Sequence, residues 1–70
     1  MAKSLQGLDP RSCELRADSA HGYSVYYDGY FIGRVERMPR SITWTAIWGT
    51  CGRAETRTRR EAIAALLSVQ

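Results

Sequence analysis

Few side chains in this sequence could act as catalytic nucleophiles or metal ligands, and their spacing is irregular. Cys13 and Cys51 stand 38 positions apart with no CxxC pair, and His21 is the only histidine. This arrangement matches neither a disulfide framework nor a zinc ribbon, and His21 falls in a predicted turn without a nucleophile elbow. We therefore expect free thiols, no metal, no cofactor and no enzymatic activity.

Arginine is the residue type with the greatest binding potential in the chain. There are nine arginines against one lysine, and the formal net charge is +3. A guanidinium is a planar fork that can donate two hydrogen bonds to a phosphate or a carboxylate, so this ratio suits recognition of either anion. A GC-rich genome would produce the same ratio through its codons, and a charge of +3 does not by itself establish a nucleic-acid partner.

One group of arginines surrounds the predicted start of a C-terminal helix: Arg53, Arg57, Arg59 and Arg60. Positive side chains close to a helix N-terminus oppose the helix dipole and cost about 0.3–1 kcal/mol each. A phosphate or an acidic partner at this position would turn that cost into a gain. The other interpretation is a solvated cluster that Glu55 and Glu61 partly neutralise.

All seven aromatic residues fall between Tyr23 and Trp48, on segments of strand-like composition. Exposed rings can stack on the bases of single-stranded nucleic acid or serve as anchors in a protein interface. A chain of 70 residues needs some of these rings for its own core. Their function therefore depends on which of them the fold leaves exposed.

The elements that position these rings begin with a hairpin. Asp28-Gly29 separates two β-prone segments, 23–27 and 30–37, and Asp-Gly favours a two-residue turn because both of its positions need positive φ. In a regular register, one face of the hairpin carries three cross-strand pairs: Tyr27 with Tyr30, Val25 with Ile32, and Tyr23 with Arg34. The other face would carry Tyr26 opposite Phe31, followed by Gly33 and Val35.

Further segments complete the predicted domain. Residues 42–48 alternate as a third strand, residues 13–17 alternate as a short edge strand, and residues 49–56 are predicted to be a loop. Thr58 and Glu61 have capping-box spacing, and the helix after them carries one apolar stripe of Ala62, Ile63, Leu66 and Leu67. Residues 1–12 are predicted to be a flexible N-terminal arm, and residues 13–70 a single β-β-β-α domain.

The predicted fold class is therefore α+β: a three-stranded antiparallel sheet, four-stranded if residues 13–17 join it, with one C-terminal helix packed on one face. A helix of about ten residues covers only one face of such a sheet. The other face must meet water, the N-terminal arm, a second copy of the chain or a partner. The residues predicted to contact a partner are Tyr26, Phe31, Arg34, Arg37, Arg53, Arg57, Arg59 and Arg60.

Two groups of small proteins resemble this chain. At Asp28-Gly29, Gly33-Arg34-Val35, Trp44-Thr45-Ala46 and Thr58-Arg59-Arg60-Glu61-Ala62 it resembles the β-β-β-α arm-type DNA-binding modules of phage integrases, which implies DNA recognition by the sheet. In size and element order it is similar to small phage-encoded inhibitors, including anti-CRISPR proteins. That resemblance implies a non-catalytic protein that blocks a host complex by occupying its surface.

The interleaving of acidic residues among the arginines favours a protein interface over a surface that gains its affinity from phosphate contacts. We therefore expect a small binding protein that occupies a protein or nucleoprotein target, most concretely a phage or mobile-element inhibitor of a host defence complex such as CRISPR-Cas. The alternative is a sheet-based DNA-binding module of a phage or integrase-like protein.

The sequence also predicts where the protein works and in what form. No stretch approaches the roughly 18 apolar residues of a membrane span, and the first eight residues lack the apolar core of a signal peptide. We therefore expect the host-cell cytosol, no membrane partner, and a monomer or a homodimer.

Overall fold

The computed structural model describes residues 9–69 and shows, within them, a five-stranded antiparallel sheet followed by one helix. The strands are arranged in space in the same order as in sequence, each paired with the next. A 3-10 helix at Pro10–Ser12 precedes β1 (Glu14–Ala17), β2 (Gly22–Tyr27), β3 (Tyr30–Glu36), β4 (Trp44–Trp48), β5 (Gly52–Thr56) and α1 (Arg59–Ser68). The predicted α+β class with a C-terminal helix is confirmed, whereas the predicted number of three or four strands is wrong.

The predicted hairpin is present, but its register changes beyond the turn. Asp28 and Gly29 have φ of 51° and 84°, and Tyr27 pairs with Tyr30 as predicted. A β-bulge then places Val25 opposite Gly33 instead of Ile32, and Tyr23 opposite Val35 instead of Arg34. The extra residue is accommodated because Gly33 adopts φ of 148°, a conformation that other residues rarely take.

The bulge decides which side chains of β3 reach the core. It turns Val35 to the face that the helix covers, where Val35 is completely buried, and turns Arg34 to the opposite face. Gly33 also lets the helix come close, because a Cβ atom there would lie 2.6 Å from the Leu66 side chain. The sequence-based assignment of Val35 and Arg34 to faces is therefore wrong, and the bulge is the reason.

The segment that was predicted to be a loop contains the fifth strand. β5 pairs with β4 from Trp44 opposite Thr56 to Trp48 opposite Gly52. The Trp48 indole lies over Gly52, where any side chain would collide with it. β5 presents small residues to the face that the helix covers and charged residues to the other face. It therefore extends the sheet by one edge strand and adds no large side chain to the core.

The helix begins as predicted. The Thr58 hydroxyl accepts from the Glu61 amide at 3.1 Å, and the Glu61 carboxylate accepts from the Thr58 amide at 3.1 Å, which completes the capping box. The apolar stripe packs on β3, β4 and β5. The core consists of Val25, Ile32, Val35, Ala46, Ala62, Ile63, Leu66 and Leu67.

The predicted N-terminal arm falls mainly on residues 1–8, outside the described part of the chain. Its last four residues are held by local contacts: the Asp9 carboxylate accepts from the Arg11 amide at 2.9 Å and caps the 3-10 helix. That 3-10 helix contacts α1, so this stretch lies on the helix side of the sheet and leaves the opposite face uncovered. Among residues 9–69 no helix is long and apolar enough to cross a membrane.

Candidate functional site

The fold separates the residues that could have formed a catalytic or metal site. Cys13 and His21 line different cavities, and Cys51 lies exposed between β4 and β5, at the other end of the sheet from His21. Burial raises the pKa of the Cys13 thiol, which disfavours the nucleophilic thiolate. In residues 9–69 no three side chains of metal-binding type come together.

The face of the sheet opposite the helix, which we call the open face, has a regular charge pattern. Strand pairing aligns its residues from edge to edge: Glu14 with Tyr26, Ser24 with Arg34, Arg34 with Ile47, and Ile47 with Arg53. The two edge strands and the central strand each carry one arginine and one glutamate, two positions apart: Glu14 and Arg16, Arg34 and Glu36, Arg53 and Glu55. The strands of the open face therefore have no net charge.

Two aromatic rings and one arginine cluster at the end of this neutral face that is nearer the hairpin turn. We call these residues, Arg16, Tyr26 and Phe31, the aromatic patch. The Tyr26 and Phe31 rings meet edge to face with their centroids 5.6 Å apart. The Arg16 guanidinium lies 4.3 Å from the centre of the Tyr26 ring. Phe31 is 59% exposed although it is apolar, and Tyr26 is half-buried.

Arg34 is held in place on the central strand of the open face. Its guanidinium donates to both carboxylate oxygens of Asp18 at 3.0 Å and also binds Glu36. The hydrogen bonds that Asp18 accepts, chiefly from Arg34 and then from Ser24, lower its pKa to about 2. The bonds of Arg34 to Asp18 and Glu36 raise the pKa of the guanidinium above its usual value. Two carboxylates thus occupy the donors that a DNA phosphate would need.

A second feature, an arginine-aromatic stack, is built at the end of the sheet where α1 begins. Tyr23 and Trp44 stack at 6.5 Å on the face that the helix covers. The Arg59 guanidinium lies 5.4 Å from the Tyr23 ring and 6.0 Å from the Trp44 ring, and that of Arg37 lies 5.9 Å from the Trp44 ring. Neither arginine forms an ion pair with a residue that the structure describes.

Three more arginines lie at the same end because the chain turns or starts its helix there. Arg40 is in the loop between β3 and β4, Arg57 lies between β5 and α1, and Arg60 is in the first helical turn. All three are exposed and lack an ion pair within the described residues. We call Arg37, Arg40, Arg57, Arg59 and Arg60 the basic end.

A cavity of about 380 Å³ opens beside the stack, lined by Arg37 and Trp44 together with Ser19 and His21. It is shallow, and its lining mixes polar and apolar groups. A second cavity of similar size lies on the other side of Arg59, between Arg60 and the 3-10 helix. Both cavities are therefore lined in part by residues of the basic end.

The structure divides the predicted contact residues between two surfaces. The open face carries Tyr26, Phe31, Arg34 and Arg53, with Tyr26 against Phe31 and with Arg34 held by two carboxylates. The basic end carries Arg37, Arg57, Arg59 and Arg60. Arg53 is apart from that end because it lies near the start of β5, whereas Arg57, Arg59 and Arg60 come after its end.

Sequence reasoning missed three contributors to these surfaces. Arg16 was assigned only to the polar side of an edge strand, and Tyr23 and Trp44 were not assigned to a binding surface. The alternation in β1 puts Arg16 on the same side as Glu14. Only the observed pairing of Glu14 with Tyr26 brings that side to the face that carries Tyr26, and the sequence gives no signal for this register. Comparison with family models, curated proteins and solved structures finds no match to the chain.

Proposed function

We propose that this chain is a small non-enzymatic binding protein that occupies the surface of a protein or nucleoprotein target through its open face. The observation that carries the proposal is the exposed Phe31 ring, held edge to face against Tyr26 on a face of the sheet that no described residue covers. A small domain that leaves such a ring in water forgoes roughly 1.5–3 kcal/mol of burial. Binding to a partner would recover that free energy.

The charge pattern of the open face favours a protein partner. Protein interfaces are enriched in aromatic residues and arginine and are depleted of unpaired charge at their centres. The aromatic patch fits that description, because Arg16 contacts both the Tyr26 ring and the Glu14 carboxylate. A nucleic-acid backbone would instead require a surplus of positive charge, which this face lacks.

The specific form of the proposal is a phage-encoded or mobile-element inhibitor of a host defence complex, such as CRISPR-Cas. It rests on the resemblance in size and element order to such inhibitors and on the aromatic patch as the blocking surface. The alternative, a module that reads DNA with its sheet, is less well supported, because Arg34 at the centre of the sheet is bound by Asp18 and Glu36.

Replacement of one exposed ring tests the proposal. Phe31→Ser should reduce capture of the partner from nuclease-treated host lysate at least about tenfold, equivalent to ~1.4 kcal/mol. The thermal midpoint should change little, because the ring is already mostly in water. Ile42→Ser is the matched control: Ile42 is 88% exposed, lies outside the sheet, and its replacement should leave capture at the wild-type level.

Equal capture by Phe31→Ser and the wild type would contradict the role of the open face. The inhibitor form has its own readout, which is plasmid interference by host defence systems in cells that express the chain. Wild type should relieve interference by the system it targets, and Phe31→Ser should not. A chain that binds its partner through Phe31 but relieves no interference would retain the binding function and refute the inhibitor.

A further inference from the structure

The net charge of the chain is unevenly distributed. Every ion pair in residues 9–69 involves Arg11, Arg16 or Arg34, so these three arginines are matched by acidic neighbours. The basic end carries five arginines, and none of them has an ion-pair partner among the described residues. Two acidic side chains lie near this region: Glu61 in the first helical turn and Asp9, whose pKa is lowered in part by the charge of Arg60. The five arginines outnumber them, so the basic end is positive while the strands of the open face are neutral.

Two of these arginines are pre-positioned by the stack at the start of α1. Arg37 and Arg59 both lie within 6.0 Å of the centre of the Trp44 ring, one arriving from the end of β3 and the other from the first turn of α1. Contact with a ring restricts a long side chain while leaving the edge of its guanidinium available to donate hydrogen bonds. Neither guanidinium donates to any residue that the structure describes. The stack therefore presents two ordered guanidiniums that have no ion pair with a described residue.

We propose that the basic end binds the sugar-phosphate backbone of nucleic acid, a site separate from the open face and independent of the function proposed above. Each strand of a DNA duplex carries one phosphate per about 3.4 Å of helix axis, so one backbone segment can meet several guanidiniums of a cluster. Bidentate donation by Arg37 and Arg59 would position the backbone, and Arg40, Arg57 and Arg60 would add charge. Contacts of this kind carry affinity but no sequence specificity.

The composition of the basic end favours phosphate over the carboxylates of an acidic protein. A protein interface normally adds a desolvated apolar centre to its charge pairs. Here the large apolar groups, Tyr23 and Trp44, are half-buried, and a guanidinium lies 5.4–6.0 Å from each ring, so the main groups exposed to a partner are the five arginines. The partial burial of the rings also disfavours base stacking and makes the backbone the expected contact.

Binding can be measured with the full chain and a fluorescein-labelled random-sequence DNA duplex of about two helical turns, by anisotropy across a salt series. The wild type should bind at low salt, and log K should fall with log salt at a slope steeper than about −2, since each neutralised phosphate contributes about −0.9. Arg37→Glu and Arg59→Glu should each weaken binding at least about tenfold and flatten the slope by about 1.

Arg53→Glu is the matched control, since it reverses the charge of an arginine near the start of β5 that has no ion pair with a described residue. It should weaken binding by less than about threefold, which corresponds to less than ~0.7 kcal/mol. Arg57→Glu removes a member of the basic end that contacts no ring, so it tests the proposal even if the stack variants lose stability. Arg57→Glu should weaken binding more than Arg53→Glu does.

Three outcomes would overturn the proposal. One is the absence of duplex binding at low salt. Another is an equal loss from Arg53→Glu and Arg57→Glu, which would attribute binding to net charge alone. The third concerns competition: polyglutamate and unlabelled DNA would displace the labelled duplex equally well at equal concentrations of negative charge. That result would assign the basic end to acidic polypeptides. None of these outcomes affects capture of a protein through Phe31, so the two proposals can fail separately.

Discussion

At the scale of single residues, the neighbours of an arginine determine its role more than its position in sequence does. Arg34 and Arg37 are three positions apart, yet Arg34 is fixed between Asp18 and Glu36, whereas Arg37 lies over the Trp44 ring without a carboxylate partner among the described residues. Arg34 therefore links the turn before β2 to β3, and Arg37 is available to a partner. Sequence spacing alone assigned both residues to binding.

The Asp18–Arg34 pair makes a prediction about acid stability. Because the pKa of Asp18 is lowered from 3.8 to about 2 in the fold, its ion pair should contribute stability above about pH 4 and lose that contribution as pH falls through 2. Asp18→Asn should therefore unfold more easily than the wild type at pH 7. The difference between the two should shrink between pH 4 and 2 in denaturant titrations.

A difference in free energy of unfolding that stays constant from pH 7 to pH 2 would contradict this account. It would mean that Asp18 acts through packing or through its hydrogen bond from Ser24, at 2.9 Å, and that its charge has no role. The ion pair between Arg34 and Glu36 remains in this variant, so the titration reports the Asp18 pair alone.

The register of the hairpin shows how far residue-level prediction extends. Asp28-Gly29 determined the turn, and the pairs nearest to it, Tyr27 with Tyr30 and Tyr26 with Phe31, were predicted correctly. The bulge was missed because a regular period of two was applied through Gly33, although a glycine inside a strand is typical of bulges. In the fold the bulge shifts the alternation, so Ile32 and Val35, three positions apart, are both buried.

At the scale of elements, α1 shows the best agreement between sequence and structure, because a capping box is a local motif. Thr58→Ala removes the hydroxyl that accepts from the Glu61 amide and should lower the free energy of unfolding by about 0.5–2 kcal/mol. Denaturant titration measures this change. Thr50→Ala, in the exposed turn before β5, should change stability by less than about 0.5 kcal/mol.

The cap also connects stability to the proposed phosphate site. Arg59 is the first residue of α1, and its guanidinium reaches Tyr23 and Trp44 only if the first helical turn is formed. Thr58→Ala should therefore weaken duplex binding as well as stability, whereas Thr50→Ala should weaken neither. A loss of stability without any change in duplex binding would show that the capping box does not position Arg59 for DNA.

The sequence did not reveal β5, because its residues lack the apolar alternation that marks a strand. Gly49 and Gly52 are turn signals, and the residues after them are small or charged, so no run of apolar side chains marks a strand. In the structure β5 needs no bulky residues, because Trp48 of β4 lies over Gly52 and fills the space above it. The strand forms because β4 supplies the pairing and the bulky side chain, and the residues of β5 alone do not indicate either.

At the scale of the whole molecule, the helix determines which surfaces remain for partners. It lies on one face with the 3-10 helix beside it, and it leaves the open face, with Tyr26 and Phe31, free of described residues. The sequence predicted that the helix would leave one face of the sheet uncovered. It could not predict that this face would be neutral along its strands, or that five arginines without an ion pair to a described residue would gather at one end of the sheet. That separation depends on the register of all five strands.

The two surfaces give the molecule the features expected of a protein that engages a nucleoprotein complex. The aromatic patch would contact protein, and the basic end would contact phosphate. The central claim is the first of these, because it concerns an apolar ring that the fold exposes and does not need. A second copy of the chain is the competing occupant of the open face.

Hydroxyl-radical footprinting of Phe31 tests this claim most directly, with the chain alone at increasing concentrations and in the complex recovered from nuclease-treated host lysate. We predict strong labelling of Phe31 in the free chain at every concentration and protection of Phe31 and Tyr26 in the complex, with Ile42 labelled equally in both. Unchanged labelling of Phe31 in the complex would contradict the claim. Protection in the free chain as its concentration rises would assign the open face to a homodimer.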